Sequence, residues 1–335
     1  MEIAANAPLT SFATTRRLSS FCWGVLIFLF AVILWGSFVR ASGSGAGCGS
    51  HWPLCNGVVI PESGNWKTLV EFTHRVTSGI SLILCVAIGF WGYNKYAKGS
   101  LVRRAAIATG LLILSEAAVG AGLVLFGLVD QNQSHLRAIS LGIHLMNTFF
   151  LLAAVVLTAR WSELGATRLR RLSPGQLWSS VSAVLFCLGL GASGAVTALG
   201  DTLFPAASLQ AGLAQDLSPT RHFLIELRIY HPVIAVLVSF YLILFARAAL
   251  NLVGDKDVTG SRLRFHAWMV LVLQCMQLTL GVLNIALLAP IAVQMAHLLM
   301  ADLVWINLIL LLSEIWVQPP QQSSQQASTT SEFAS

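Results

Sequence analysis

The sequence predicts an all-α integral membrane protein whose eight transmembrane helices form two duplicated four-helix bundles. Three observations predict it: the composition, the length of the apolar runs and a weak internal repeat. Of the 335 residues, 56% are apolar and only 10% charged, against roughly 25% charged in a soluble domain, and the mean hydropathy is +0.75. Eight runs reach the roughly 20 residues that a helix needs to cross hydrocarbon: 21–39, 72–92, 105–128, 139–159, 178–199, 229–246, 267–287 and 291–313. Backbone polar groups in lipid must be satisfied within the segment, so these runs are helices. The repeat pairs His74 at the start of span two with His231 at the start of span six, 157 positions apart. It also pairs His144 with His297, 153 apart, and the "ASG" triplets at Ala41–Gly43 and Ala192–Gly194, 151 apart. An even number of spans per unit gives a parallel repeat about an axis along the membrane normal.

The repeat sets the domain organisation. An N-terminal segment, 1–20, precedes a first bundle, 21–159; a basic linker, 160–177, leads to the second bundle, 178–313, and a polar tail rich in Gln and Ser, 314–335, reads as disordered. The net charge of +6 marks topology rather than nucleic-acid binding, because the basic residues alternate between connections. Of the 20 Lys and Arg, 14 fall within 16–17, 95–104, 160–171 and 247–264. By the positive-inside rule both termini are cytoplasmic, in a bacterial inner membrane in preference to a mitochondrial one. The first residues lack a signal-peptide layout, so residue 21 opens a retained span.

The four repeated histidines define the candidate site. Spans two, four, six and eight run in the same direction, and His74, His144, His231 and His297 each lie near the outer end of their span, about 3–10 Å below the boundary at 1.5 Å per residue. Two imidazoles from parallel helices of one bundle are the donor set for a six-coordinate haem iron, and bundle interiors are where such groups are held. His51, His135, His222 and His266 fall in loops or at span ends and read as solvated or locally hydrogen-bonded.

The halves differ beside the histidines. In "EFTHRV", Glu71 lies three residues before His74 and shares its helix face; in "ELRIYHPV", Arg228 takes that place before His231. A carboxylate there can accept or relay protons, whereas a guanidinium suits a propionate. Arg75 beside His74 is a second propionate candidate. The first half thus reads as reactive and the second as supportive. Pro232 disfavours helical backbone at His231, which places that histidine at a helix start or kink. Glu116, mid-span in "LLILSEAAVGAG", is an ionisable group in the membrane and a functional candidate on that ground; its repeat partner is Gln277.

The loop "RASGSGAGCGSHWPLCNG" follows span one and carries Cys48 and Cys55. On the oxidising side of a bacterial membrane the pair reads as a disulfide, contributing roughly 2–3 kcal/mol by closing a short loop. A redox-active pair, or a metal site completed by His51, are the other readings. Its glycines let the backbone pass close to a buried group, as a stapled lid over the first site. Cys22, Cys85, Cys187 and Cys275 lie within spans and act as small apolar residues.

The run "GSGAGCGSHWPLCNG", then "EFTHR", "HLMNTFFLLA" and a second histidine pair resembles the haem A synthase family over nearly all eight spans. The resemblance implies an oxidoreductase that converts a ring methyl of haem O to a formyl group, with water as the oxygen source, making haem A for terminal oxidases. It implies haem O as substrate between His74 and His144, haem b as cofactor between His231 and His297, and Glu71 as the catalytic acid or base. It identifies Cys48 and Cys55 as the family's outer-loop pair. The partners implied are haem O, membrane lipid, an electron acceptor such as a quinone, and a haem O synthase, with self-association open. Some members carry a second cysteine pair in the other half; here 200–228 contains none, and Arg228 or Arg221 is left to anchor a propionate there. The alternative is a di-haem b electron-transfer cytochrome that does no haem chemistry.

Overall fold

The computed structural model describes residues 12–62, 64–165, 168–251 and 258–318. Along them run α1 (Phe12–Ala41), α2 (Trp66–Lys95), α3 (Leu101–Leu125), α4 (His135–Leu164), α5 (Pro174–Leu203), α6 (Leu209–Asp216), α7 (Phe223–Leu250), α8 (Val258–Ala286) and α9 (Ile291–Trp316). Eight of them are long and apolar enough to cross a membrane; the short α6 lies in the connection between α5 and α7. The chain is an all-α, multi-pass membrane protein. Its only sheet among the described residues is a two-residue pairing of β1 (Arg168–Leu169) with β2 (Val317–Gln318), antiparallel.

Seven of the eight spanning helices begin before the apolar runs, α9 alone starting where predicted. Among those that carry the histidines, α2 starts at Trp66 rather than 72, α4 at His135 rather than 139 and α7 at Phe223 rather than 229. Their first turns are polar enough to escape a hydropathy reading, and side chains just ahead of them satisfy the orphan N–H groups. Asn65 accepts from the Lys67 amide, Ser134 from Arg137 and His222 Nδ1 from Leu224. His74 and His231 are therefore the ninth residues of their helices, His144 the tenth and His297 the seventh, about 9–14 Å from the helix start. Of the two places predicted for His231, a helix start or a kink, the start is excluded, because α7 runs through Pro232. The loss is one ladder hydrogen bond, a defect that membrane helices tolerate.

α1, α2, α3 and α4 pack as one closed group, each on its neighbours, and α5, α7, α8 and α9 as another. Small residues bring α2 and α3 together: a Cβ on Gly89 would lie 3.3 Å from Gly110 Cα. Without a hydrophobic force between helices in lipid, such close approach supplies the packing. The two groups meet through α1 and α4 against α5 and α9. Phe149 stacks on Trp305 with ring centroids 5.1 Å apart, and Trp305 Nε1 donates to Phe149 O at 2.7 Å.

Polar clamps close this interface at both ends. At the end carrying the Cys48–Cys55 loop, Arg40 of α1 donates to Ala198 O and Thr202 Oγ1 of α5, each at 2.6 Å, and to Gln294 Oε1 of α9 at 3.1 Å. At the basic end, the buried Glu314 of α9 accepts from Arg160 of α4 at 2.5 Å and from Arg262 of α8 at 3.3 Å. The predicted tail thus starts late: Glu314 belongs to α9, and 319–335 lies outside the described residues, as does 1–11 of the predicted N-terminal segment. The predicted linker likewise shortens, since α4 continues to Leu164 and α5 begins at Pro174 with a Ser173–Gln176 capping box. Among the described residues, Glu314→Ala leaves Arg160 with only the ion pair to Glu163, at 3.2 Å, and is expected to lower stability by about 3 kcal/mol. Thermal unfolding in detergent measures it; a loss under about 1 kcal/mol would show the pair to be no stronger than an exposed one.

Candidate functional site

Each predicted histidine lies against a glycine of the preceding spanning helix. A Cβ on Gly36 of α1 would lie 2.7 Å from His74 Cε1 and 2.9 Å from Nε2. A Cβ on Gly194 of α5 would lie 3.1 Å from His231 Cε1, one on Gly281 of α8 3.3 Å from His297 Cε1, and one on Gly120 of α3 3.9 Å from His144 Cε1. Sequence reading gave none of these four glycines this role, Gly194 entering only as part of a repeated triplet, because a glycine inside an apolar span is common and carries no polar mark. They also correct the alignment of the halves. Gly36 and Gly194 are 158 apart, in step with His74 and His231 at 157. The two "ASG" triplets are not equivalent: Ala41 ends α1, whereas Ala192–Gly194 lies inside α5.

His74 and His144 lie on α2 and α4 of one helix group, and His231 and His297 on α7 and α9 of the other. Nδ1 of His74, His144 and His297 is buried without a hydrogen-bond partner, while His231 Nδ1 lies 2.8 Å from Ser193 Oγ. Buried unpartnered polar atoms are costly and call for an explanation. Two imidazoles per bundle, each over a glycine, fit a planar ring whose iron takes one nitrogen on each side, so the residues fit haem. Among the described residues no group of three or more His, Cys, Asp or Glu could hold a bare metal ion. Cys48 and Cys55 are bonded to each other, which removes them as ligands beside His51. The remaining histidines have local roles: His222 caps α7, His135 stacks on Phe223, and His266 Nδ1 lies 2.8 Å from Asn307 Oδ1.

Glu71 ties the first histidine's helix to the loop. It is buried; Oε2 accepts the Cys48 N–H at 2.8 Å, and Oε1 pairs with Arg75 at 2.5 Å. As the sixth residue of α2, it lies beyond the first turn, where a helix dipole would account for it. Arg75 Nη1 donates to His51 O and Leu54 O at 2.5 and 2.7 Å. Thr68 Oγ1 donates to Gly47 O at 2.8 Å. Gly47 must be glycine, since a Cβ there would lie 2.5 Å from Lys67 O. The loop therefore seats on α2 through close backbone contact at Gly47.

In the second half, ion pairs occupy the place of a disulfide. Arg228 bridges Asp201 at 3.3 Å and Asp216 at 2.5 Å, holding α6 to α5 and α7; Arg221 lies 3.7 Å from Glu226. Both propionate candidates, Arg75 and Arg228, thus have protein acceptors that a propionate would join or replace. Glu116 of α3 meets α4 beside His144: Oε1 lies 3.3 Å from His144 Nδ1 and accepts from Thr148 Oγ1, and Oε2 accepts from Asn147 Nδ2.

Comparison with known proteins agrees with this arrangement. A Thermus thermophilus protein named protoheme IX farnesyltransferase is 44% identical over 299 residues, covering 88% of this chain but 48% of its own length. The chain therefore spans about half the length of that relative. The haem A synthase of Exiguobacterium sibiricum is 28% identical over 73% of this chain and 79% of its own. That of Alkalihalophilus pseudofirmus is 32% identical over 51% of this chain and 55% of its own. Residues 19–309 match the COX15-CtaA family, described as cytochrome oxidase assembly protein. With all eight spanning helices inside or overlapping that match, the chain belongs to the COX15-CtaA family of cytochrome oxidase assembly proteins.

Proposed function

We propose that this chain is a haem A synthase of the bacterial inner membrane, with both termini cytoplasmic, oxidising a ring methyl of haem O to a formyl group. The observation that carries the reading is an asymmetry between matched halves. Both hold two imidazoles over glycines, but three residues before His74 stands a buried carboxylate, Glu71, where Arg228 stands before His231. Haem O would bind between His74 and His144 as substrate, and haem b between His231 and His297 as cofactor. Conversion of –CH3 to –CHO takes one water and releases four protons and four electrons. Glu71, on the His74 face of α2, is the group placed to accept protons, and the Cys48–Cys55 loop restricts water above it. When bound, haem b supplies one-electron redox chemistry, and the electrons leave to a quinone or another carrier. The Thermus relative's name supports a haem O-producing synthase as partner.

A di-haem electron-transfer cytochrome is the second reading. What favours it is that Glu71 already has partners for both oxygens in Arg75 and the Cys48 amide, as a purely structural carboxylate would. The deciding experiment is mass identification of haems extracted from the purified chain after expression in cells that supply haem O. Haem O, an oxidised intermediate or haem A beside haem b is the expected result. Haem b alone would establish the cytochrome, and no haem would overturn both.

A further inference from the structure

Glu116 and Gln277 occupy matched places in the two halves. Each lies four residues before the glycine that faces a histidine, Gly120 and Gly281, and both pairs are 161 positions apart. Around them the chemistry differs. The Glu116 carboxylate is held by two donors from α4, Thr148 Oγ1 on Oε1 and Asn147 Nδ2 on Oε2, each at 2.5 Å. Asn147 is itself fixed, donating to Leu112 O at 3.0 Å and accepting from Ser115 Oγ at 2.7 Å. Oε1 lies 3.3 Å from His144 Nδ1, and among the described residues that buried nitrogen has no other partner. In the second half a neutral amide stands instead, with Gln277 Nε2 3.3 Å from His297 Nε2, while His297 Nδ1 has no partner.

We propose that Glu116 is a positioning residue for the first half: its carboxylate receives the Nδ1–H of His144, fixes the ring and strengthens it as a ligand. The proposal rests on the haem-ligand reading above. An imidazole that donates its second N–H to a carboxylate is a more basic ligand than one beside an amide, and stronger axial donation favours the ferric over the ferrous iron. The first-half iron then has the lower potential of the two, which makes electron passage towards the second half downhill. Thr148 and Asn147, at i+4 and i+3 from His144, orient the acid from the ligand's own helix.

Redox titration of the haem-loaded full chain, followed by visible and electron paramagnetic resonance spectra, tests this. His144→Ala and His297→Ala assign the two signals by removing one each. In Glu116→Gln the first-half iron is expected to keep its bis-histidine spectrum. Its ratio of reduced to oxidised form at a fixed potential is expected to rise about tenfold or more, which is about 59 mV for a one-electron couple. The second half should not move. Because Gln277 meets Nε2 and not Nδ1 of His297, the second variant is Thr148→Val, which removes a donor that holds the Glu116 carboxylate at His144; it should shift the first-half ratio the same way by a smaller factor, and it decides the matter if Glu116→Gln fails to fold. Unchanged potentials in these variants, or equal shifts in both halves, would overturn the role of Glu116 and leave the haem-ligand reading standing. A wild-type chain without a first-half bis-histidine spectrum would overturn both.

Discussion

Replacing Glu71 by Gln is expected to cut conversion of haem O to haem A by about 100-fold or more, the range for loss of a positioned acid or base, while both bis-histidine spectra remain. The side chain sits three residues before His74, on the same face of α2, and is buried under the disulfide-bonded loop. Glutamine keeps its volume and can still accept from Arg75, but it cannot take up a proton at pH 7. One contact suffers independently of the chemistry: the amide end facing the Cys48 N–H turns an acceptor into a donor, a penalty of about 1–3 kcal/mol on the loop. Thr68→Val separates the two effects. It removes the Thr68 hydrogen bond to Gly47 O, loosening the same loop without touching the carboxylate, and it should leave the haem A to haem O ratio within about twofold of wild type on the argument that only an acid–base group carries the larger factor. The ratio is read by mass from extracted haems. Product retained in Glu71→Gln, or lost equally in Thr68→Val, would make Glu71 a strut for the loop and not a proton carrier.

The parts of the site that were legible in the sequence are those with a chemical mark. A histidine inside an apolar run stands out, and its recurrence at 157 and 153 positions is hard to produce without a duplicated fold. The eight spans were legible for the same reason, because lipid demands long apolar runs. What stayed hidden depends on side chains meeting across distance. Cys48 and Glu71 are 23 residues apart, and their contact runs through a backbone amide that no residue pattern reveals. Glu116 meets Asn147 and Thr148 only once α3 and α4 are packed. Arg228 finds Asp216 through α6, a short polar helix with no membrane-length run to announce it. The triplet match at Ala41 and Ala192 misled because three small residues recur by chance in a chain with 27 glycines, whereas a glycine under an imidazole is fixed by contact.

That contact yields a graded series from one added methyl group. Gly36→Ala is expected to remove at least about nine-tenths of the first-half haem signal, because the new Cβ would lie 2.7 Å from His74 Cε1, so the ring must move, and displacement beyond about 0.5 Å spoils a ligand. At Gly194 the distance is 3.1 Å and at Gly281 3.3 Å, both to second-half histidines; at Gly120 it is 3.9 Å, an ordinary contact. Loss should therefore fall in the order Gly36, Gly194, Gly281, with Gly120→Ala close to wild type. It should strike only the half whose histidine is crowded. Alanine is the better helix former by about 1 kcal/mol, which offsets only part of an overpacking cost of roughly 1–3 kcal/mol at Gly36, so Gly36→Ala should melt slightly lower and Gly120→Ala no lower than wild type. A signal lost from one half while the other keeps its haem then reports the contact itself. Equal loss from both halves in Gly36→Ala would mean instead that α1 supports the whole bundle pair, which its Arg40 bonds to α5 and α9 make the competing physical explanation. Arg40→Gln, which weakens that clamp and leaves Gly36 alone, distinguishes the two: it should lower stability while sparing the ratio of first-half to second-half haem.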